Sequence, residues 1–302
     1  MIHSKDEIKE FNKMGIHIIR RGDKEYPTRL ENLGNPPEVL YCKGNLELLT
    51  RSAISIVGTR NCTRYGIDVA RRFAKKFAEA GIVVVSGLAD GIDAAAHQGA
   101  IESGAVNTIA VLGNGVNWYY PSANRKLQDK IAEHGLLVSE YLPNDTGQKY
   151  YFPQRNRIVA ALSRALLIVE ADTKSGTMIT KDFALDLGID VFAIPGQVTS
   201  PQSRGTNALI KQAACTCACE PDDILETFGV TAKSNKEKNT LIQISFDEKR
   251  ILDIIDRDEV HIDDIMEKTG MTIPKLATLL TSMEMKGLLQ KLPGNCYCAV
   301  DF

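Results

Sequence analysis

Between residues 53 and 196, apolar residues come in short, unbroken runs, most of them closed by a glycine-bearing loop. The runs are "AISIVG" (53–58), "IVVVSG" (82–87), "VNTIAVLG" (106–113), "LLVSE" (136–140), "ALLIVEA" (165–171) and "DVFAIPG" (190–196). They are rich in β-branched residues and too short for helices, which predicts strands. Little alternation with polar residues means burial on both faces, the mark of a parallel sheet. The intervening text is helical. In "YGIDVARRFAKKFAEAG", Val69, Phe73, Phe77 and Ala80 recur at helical spacing and Gly81 closes the run, and "GIDAAAHQGAIES" follows the next strand. The fold class expected is α/β: a Rossmann-like, mostly parallel sheet over residues 51–228. Strand order is not legible.

The pattern changes on both sides of this stretch. Residues 1–50, with the Pro36-Pro37 pair, read as an extended piece, a helical turn and a lead-in packed on the core. Residues 229–246 ("GVTAKSNKEKNT" within them) are polar, Lys-rich and apolar-poor, which predicts a linker. Residues 247–302 then read as three helices and a hairpin turning at Pro293-Gly294, a small winged helix.

Composition narrows the class. The 302-residue chain has ordinary apolar (44%) and charged (25%) fractions, so a filled core is expected. No targeting signal and no long uncharged apolar run stand in the sequence, and seven cysteines in so large a chain suit reduced thiols; a cytoplasmic protein is expected. Net charge is −2, but it is unevenly spread. Residues 240–302 hold 7 Lys and Arg against 11 Asp and Glu, leaving +2 for the rest. A nucleic-acid site therefore belongs to the larger part.

Two groups of residues bear on chemistry. The strand-end loops hold Gly58-Thr59-Arg60, Ser86-Gly87, Gly113-Asn114-Gly115, Ser175-Gly176-Thr177 and Pro195-Gly196. In open α/β sheets ligands bind beyond the carboxyl ends of strands, and helix N-termini there suit phosphate. The bland reading of any one of these loops is a glycine that closes a strand-to-helix turn, but five loops with Arg60 in the first favour an anion. Neither G-x-x-x-x-G-K-[ST] nor G-x-G-x-x-G follows the first strand, so no nucleotide cofactor is expected. The second group is "YYFPQRNRIVAALS". Tyr150, Tyr151 and Phe152 precede Arg155, Asn156 and Arg157, pairing aromatic faces for bases with guanidinium groups for phosphates. Arg64, Arg125, Lys126, Lys149, Lys174 and Lys181 add positive charge to the same zone. The blander reading makes these aromatics core caps and the basic residues a solvated face.

The segments "SIVGTR", "VVSGLADGIDAAAHQGA", "TIAVLGNGVNWYYP", "FPQRNRIVAALS", "LLIVEADTKSGTMIT", "VFAIPG" and "SRGTNALI" occur in that order. This series resembles the DprA/Smf family of DNA-processing proteins over roughly residues 20–228, and the final winged helix is also similar. The resemblance implies an extended Rossmann fold, a homodimer, single-stranded-DNA binding, and loading of the RecA recombinase onto incoming DNA in natural transformation. It also implies that Gly58, Thr59 and Arg60 bind phosphate, with Arg155, Asn156 and Arg157 and then Ser175 and Gly176 as further elements. The chain departs from the family at Ala213-Ala214, at the "CTCAC" after them, and at Lys181, which replaces a small residue.

Other readings weigh less. Cys215, Cys217 and Cys219 lack the C-x₂-C spacing of zinc sites, so no metal is expected. Asp93 and His97 lie four apart on one helix, a conceivable acid–base pair, but no nucleophile elbow accompanies them, and no catalytic residue is expected. A nucleotide N-glycosidase of the same broad fold would want a carboxylate where this chain has "TKSGTMITKD"; a nucleotide sensor with the winged helix as output is the third reading. The candidate recognition helix, Thr272 to Lys286, has only Lys275, Glu284 and Lys286 charged in a net acidic unit. Such a unit repels phosphates, so a protein-contact role is expected for it, with a duplex contact through Lys286 and Lys291 the lesser alternative.

Overall fold

Each of the six apolar runs forms a strand in the computed structural model, which describes residues 5–230, 245–255, 260–292 and 294–299. They are β3 (Ala53–Val57), β4 (Val83–Ser86), β5 (Thr108–Val111), β6 (Leu136–Ser139), β7 (Ala165–Ile168) and β8 (Asp190–Ala193), all paired in parallel. Both faces of these strands are covered. Ile54, Ile56, Leu167 and Val169 point to one layer with Phe73 and Phe77, while Val57, Leu166 and Ile168 point to the other with Ile158 and Val159.

Helices α2 (Arg64–Glu79) and α3 (Ile92–Glu102) cover the first face. Thr63 caps α2, its Oγ1 accepting from the Gly66 amide at 3.1 Å, and Phe73 and Phe77 lie one turn apart with ring centroids 6.0 Å apart. Full burial of each ring contributes about 1.5–3 kcal/mol. Helices α5 (Tyr151–Ala161) and α6 (Thr177–Asp186) cover the other face.

Among the described residues the sheet has nine strands, ordered β1-β2-β6-β5-β4-β3-β7-β8-β9. Residues 1–50 are more than a lead-in. After α1 (Lys5–Lys13), β1 (Ile16–Arg20) and β2 (Val39–Gly44) form an antiparallel pair, and β2 adds antiparallel to β6. The register brings Ile16 and Tyr41 into a third apolar cluster with Leu127 and Ile131 of α4 (Arg125–His134). At the far edge, β9 has two residues, Thr216–Cys217, following α7 (Arg204–Lys211), and α8 (Asp222–Leu225) comes next. The strand is too short to align three cysteines. Cys217 and Cys219 are exposed with sulfurs 3.9 Å apart, and no three metal donors cluster among the described residues.

The chain divides into two compact units at residues 232/233. The expected linker falls largely on residues 231–244, and the expected Pro293 turn on residue 293, outside the described residues. The smaller unit has α9 (Phe246–Ile255), α10 (Ile262–Thr269) and α11 (Ile273–Met285) around Ile251, Leu276, Leu280 and Tyr297. Its hairpin, β11 (Leu289–Leu292) with β12 (Cys296–Ala299), gains a third strand that the sequence reading lacks, β10 (Val260–His261). No described helix is long and apolar enough to cross a membrane.

Candidate nucleic-acid interface

The connections from β3 through α2 run toward β4, and those from β7 through α6 run toward β8. Neighbouring strands β3 and β7 therefore leave a crevice at their carboxyl ends, where open α/β sheets bind ligands. A cleft of about 360 Å³ lies there. One lip is Gly58-Thr59-Arg60-Asn61 after β3, the other is Ser175-Gly176-Thr177 leading into α6, and Gly87, Phe152, Arg155 and Asn156 complete the walls.

Arg60 is exposed at the mouth and makes no ion pair among the described residues. Its loop is held from below by Glu170, a buried carboxylate that the sequence reading passed over. The Glu170 carbonyl accepts from the Thr59 amide at 2.7 Å, and its carboxylate accepts from the Thr63 amide at 2.8 Å and the Thr63 hydroxyl at 2.6 Å. Gly91 allows α3 to approach the same loop. Its φ is +80°, and a Cβ there would sit 2.5 Å from the Thr59 carbonyl oxygen and 2.6 Å from that of Arg60. On the opposite lip Ser175 Oγ accepts from the Thr177 amide at 3.2 Å and donates to Thr177 Oγ1 at 2.9 Å, while Gly176 faces open space.

The three residues of the Arg155-Asn156-Arg157 element part company. Arg155 is 4% exposed, and its Nη1 donates to the carbonyls of Gly87 (2.6 Å) and Val111. Asp93 sits beside it across Gly87, accepting from the Gly87 amide at 3.2 Å. Burial brings the Arg155 pKa down to about 10, though Asp93 opposes this; burial pushes the Asp93 carboxyl up, though Arg155 opposes that. Arg155 is thus a charged floor under the cleft rather than a free arm. Asn156 lines the cleft itself. Arg157 makes a two-pronged pair with Glu140 at 2.8 and 2.7 Å and donates to the Asn35 carbonyl, away from the cleft.

The remaining expected residues lie outside the cleft wall. Ser86 is buried and donates to the Ile56 carbonyl at 2.6 Å. Arg64 is exposed 3.9 Å from Asp68, and Lys181 pairs with Asp182 at 2.5 Å. Arg125 lies 4.7 Å over the Tyr119 ring; Lys126, Lys149 and Lys174 are exposed. Phe152 and Tyr120, with ring centroids 4.9 Å apart, wall an extension of the cleft beside Gly113 and Asn114. Tyr151 instead stacks on Tyr141 at 3.8 Å.

Asp93 borders the cleft but His97 is fully buried, so the two do not form a solvent-facing acid–base pair. Thr108 Oγ1 donates to the Val84 carbonyl at 2.8 Å, so His97 Nδ1 must donate to that oxygen at 2.7 Å, and burial pushes the imidazole pKa down to about 3. In the smaller unit both lysines of the recognition-helix stretch are engaged, Lys275 with Asp247 at 2.6 Å and Lys286 with buried Glu248 at 2.7 Å.

Comparison with known proteins gives the family. Residues 17–229 match the family model described as DNA recombination-mediator protein A, and residues 237–295 match the DprA winged helix domain. The chain is 41% identical over 205 residues to the DNA processing protein DprA of Bacillus subtilis, covering 68% of this chain and 69% of that one. It is 34% identical over 289 residues to the protein Smf of Escherichia coli, covering 92% and 76%. Among solved structures, DprA from Streptococcus pneumoniae superposes with a TM-score of 0.69 at 39% identity, covering 74% of this chain and 78% of that one. The DNA processing protein A of Helicobacter pylori, studied for its single-stranded DNA binding mode, superposes with a TM-score of 0.65 at 31% identity, covering 70% and 95%. With one model matching most of the chain and relatives above 30% identity over two thirds of it, this chain belongs to the DNA recombination-mediator protein A (DprA/Smf) family.

Proposed function

We propose that this protein binds single-stranded DNA along the β3/β7 cleft and assists loading of RecA recombinase onto that strand during DNA uptake and recombination. The observation that carries the reading is Arg60, an exposed guanidinium without an ion pair among the described residues, at the mouth of a cleft and on a loop fixed by Glu170. A free cation at a switch-point crevice suits phosphate, and Phe152 with Tyr120 offers aromatic faces to a base. One cleft spans few nucleotides, so a homodimer linking two clefts on one strand would raise avidity without new contacts. The reading needs no bond-breaking step. The Ser86 hydroxyl proton is committed to Ile56 and that of Ser175 to Thr177, and His97 is held neutral against Thr108, so none of these three is set up as a nucleophile or its base. The pairing of Lys275 in α11 and of Lys286 just after it favours a protein contact over a DNA contact for the winged helix. Seven cysteines with no disulfide among them suit a cytoplasmic setting.

The test is fluorescence anisotropy of labelled oligo-dT and the matching duplex across a salt series, with Arg60→Ala beside the wild type. The single strand should bind tighter. Arg60→Ala should weaken it about tenfold and lower the log–log salt slope by about 0.7, one phosphate contact on a single strand. No binding of either DNA at low salt, or an Arg60→Ala protein that binds like wild type, would sink the reading.

A further inference from the structure

Trp118 is the single tryptophan of the chain and is 45% exposed. Its indole makes no hydrogen bond or ring contact among the described residues. Its backbone, by contrast, is fixed on three sides. The Trp118 amide donates to the Gly115 carbonyl at 2.9 Å, and its carbonyl accepts from two buried amides, Asn114 Nδ2 at 2.9 Å and Gln128 Nε2 at 3.0 Å. A large apolar ring held out to water by buried polar groups loses hydrophobic stabilisation in the free protein, so a ligand that covers it gains what folding left unused.

The surroundings say what that ligand is. Asn114, which holds Trp118, lines the cleft extension, and so does Tyr120, two residues on and no more than about 7 Å along the backbone. Tyr119 between them is occupied: Arg125 covers its face and its hydroxyl donates to Asp129 at 2.7 Å. Arg125, Lys126 and Lys149 are exposed nearby in sequence to the two aromatic segments. An exposed aromatic ring two residues from Tyr120, whose own ring walls the cleft extension with Phe152, suits a further base of the same strand, since every base presents a π-face.

We infer that Trp118 is a base-stacking platform that extends the single-strand track out of the cleft beyond Tyr120 and Phe152. This rests on the single-strand reading of the cleft, and the experiment separates the two. Oligo-dT of about twelve nucleotides, within the usual site size, is titrated into the full chain while both label anisotropy and Trp118 emission are followed. Emission should be quenched to saturation with the same midpoint as the anisotropy. Trp118→Ala should weaken binding about five- to twentyfold, with Trp118→Phe keeping most of the affinity. Arg60→Ala should move both midpoints together. If the oligomer binds but emission stays constant and Trp118→Ala binds like wild type, the platform is refuted while the cleft reading survives. If the oligomer does not bind the wild type, both fall. Emission that changes with protein concentration alone, and not with DNA, would assign the ring to a contact between copies and refute the platform.

Discussion

Replacing Arg155 with methionine keeps an unbranched, though shorter, apolar stem and removes the guanidinium from a site that is 4% exposed. Two buried acceptors, the carbonyls of Gly87 and Val111, lose a charged donor, and Asp93 loses the positive charge that opposes its burial. Each orphaned acceptor costs about 1–3 kcal/mol, and breaking a buried charge pairing costs about 3–5 kcal/mol in all, since Asp93 can escape part of the penalty by taking a proton. In a unit of this size that lowers Tm by on the order of 10 °C. The pH dependence has a definite sign. Asp93 already sits above the ordinary carboxylate range, and without Arg155 it rises further. A raised carboxyl contributes stability that is complete below its unfolded pKa and lost as pH rises through its folded one, so the deficit should widen from pH 5 to 8 and shrink toward acid. Asp93→Asn added to Arg155→Met should recover part of the loss. Unfolding followed by the emission of Trp118, which lies in the larger unit, measures that unit's transition across pH. A variant within about 1 kcal/mol of wild type at every pH, or a double variant no better than the single, would refute the buried-pair account.

Other perturbations separate scaffold from surface. Gly91→Ala, at φ +80° and against the Thr59 and Arg60 carbonyls, should cost more than about 1 kcal/mol and weaken single-strand binding, both readable in one preparation by urea titration and anisotropy. Arg157→Ala should lose about 1–3 kcal/mol through Glu140 yet change single-strand affinity less than twofold; a large affinity loss without destabilisation would return Arg157 to the DNA path. Lys286→Met should destabilise the winged helix by about 1–3 kcal/mol and leave single-strand binding unchanged. The Lys286 contact holds the Glu248 carboxyl below its ordinary range, so wild type gains that stability above about pH 4.3 and loses it as pH falls; the Lys286→Met winged helix should show a flatter acid limb in thermal unfolding.

What was readable in the sequence was local. Six parallel strands announced themselves because burial on both faces makes each run apolar throughout, and Gly58-Thr59-Arg60 was visible because a strand end and its loop are contiguous. The pairing of β2 with β6 was not, since about ninety residues separate them and antiparallel addition leaves no mark on either text. The Arg155-Asn156-Arg157 element misleads when read as a line. On a helix, residues two apart point about 200° from one another, so Arg155 goes under the cleft and Arg157 to Glu140. Glu170 at a strand end looks like any surface acid until the fold brings Thr59 and Thr63 to it. His97 and Asp93 share spacing with catalytic pairs, and only burial distinguishes them.

The Glu170 clasp has a kinetic consequence. Because it ties the Thr59 amide and the cap of α2 to the end of β7, the Arg60 loop stands in its final shape before a strand arrives. A preformed site pays little ordering entropy at the moment of capture. Encounter is then governed by diffusion and by the pull of free cations on phosphate, so added salt should slow association more than it hastens release. On the proposed single-strand reading, a site that catches a strand at first touch and holds it by few contacts suits rapid capture rather than storage.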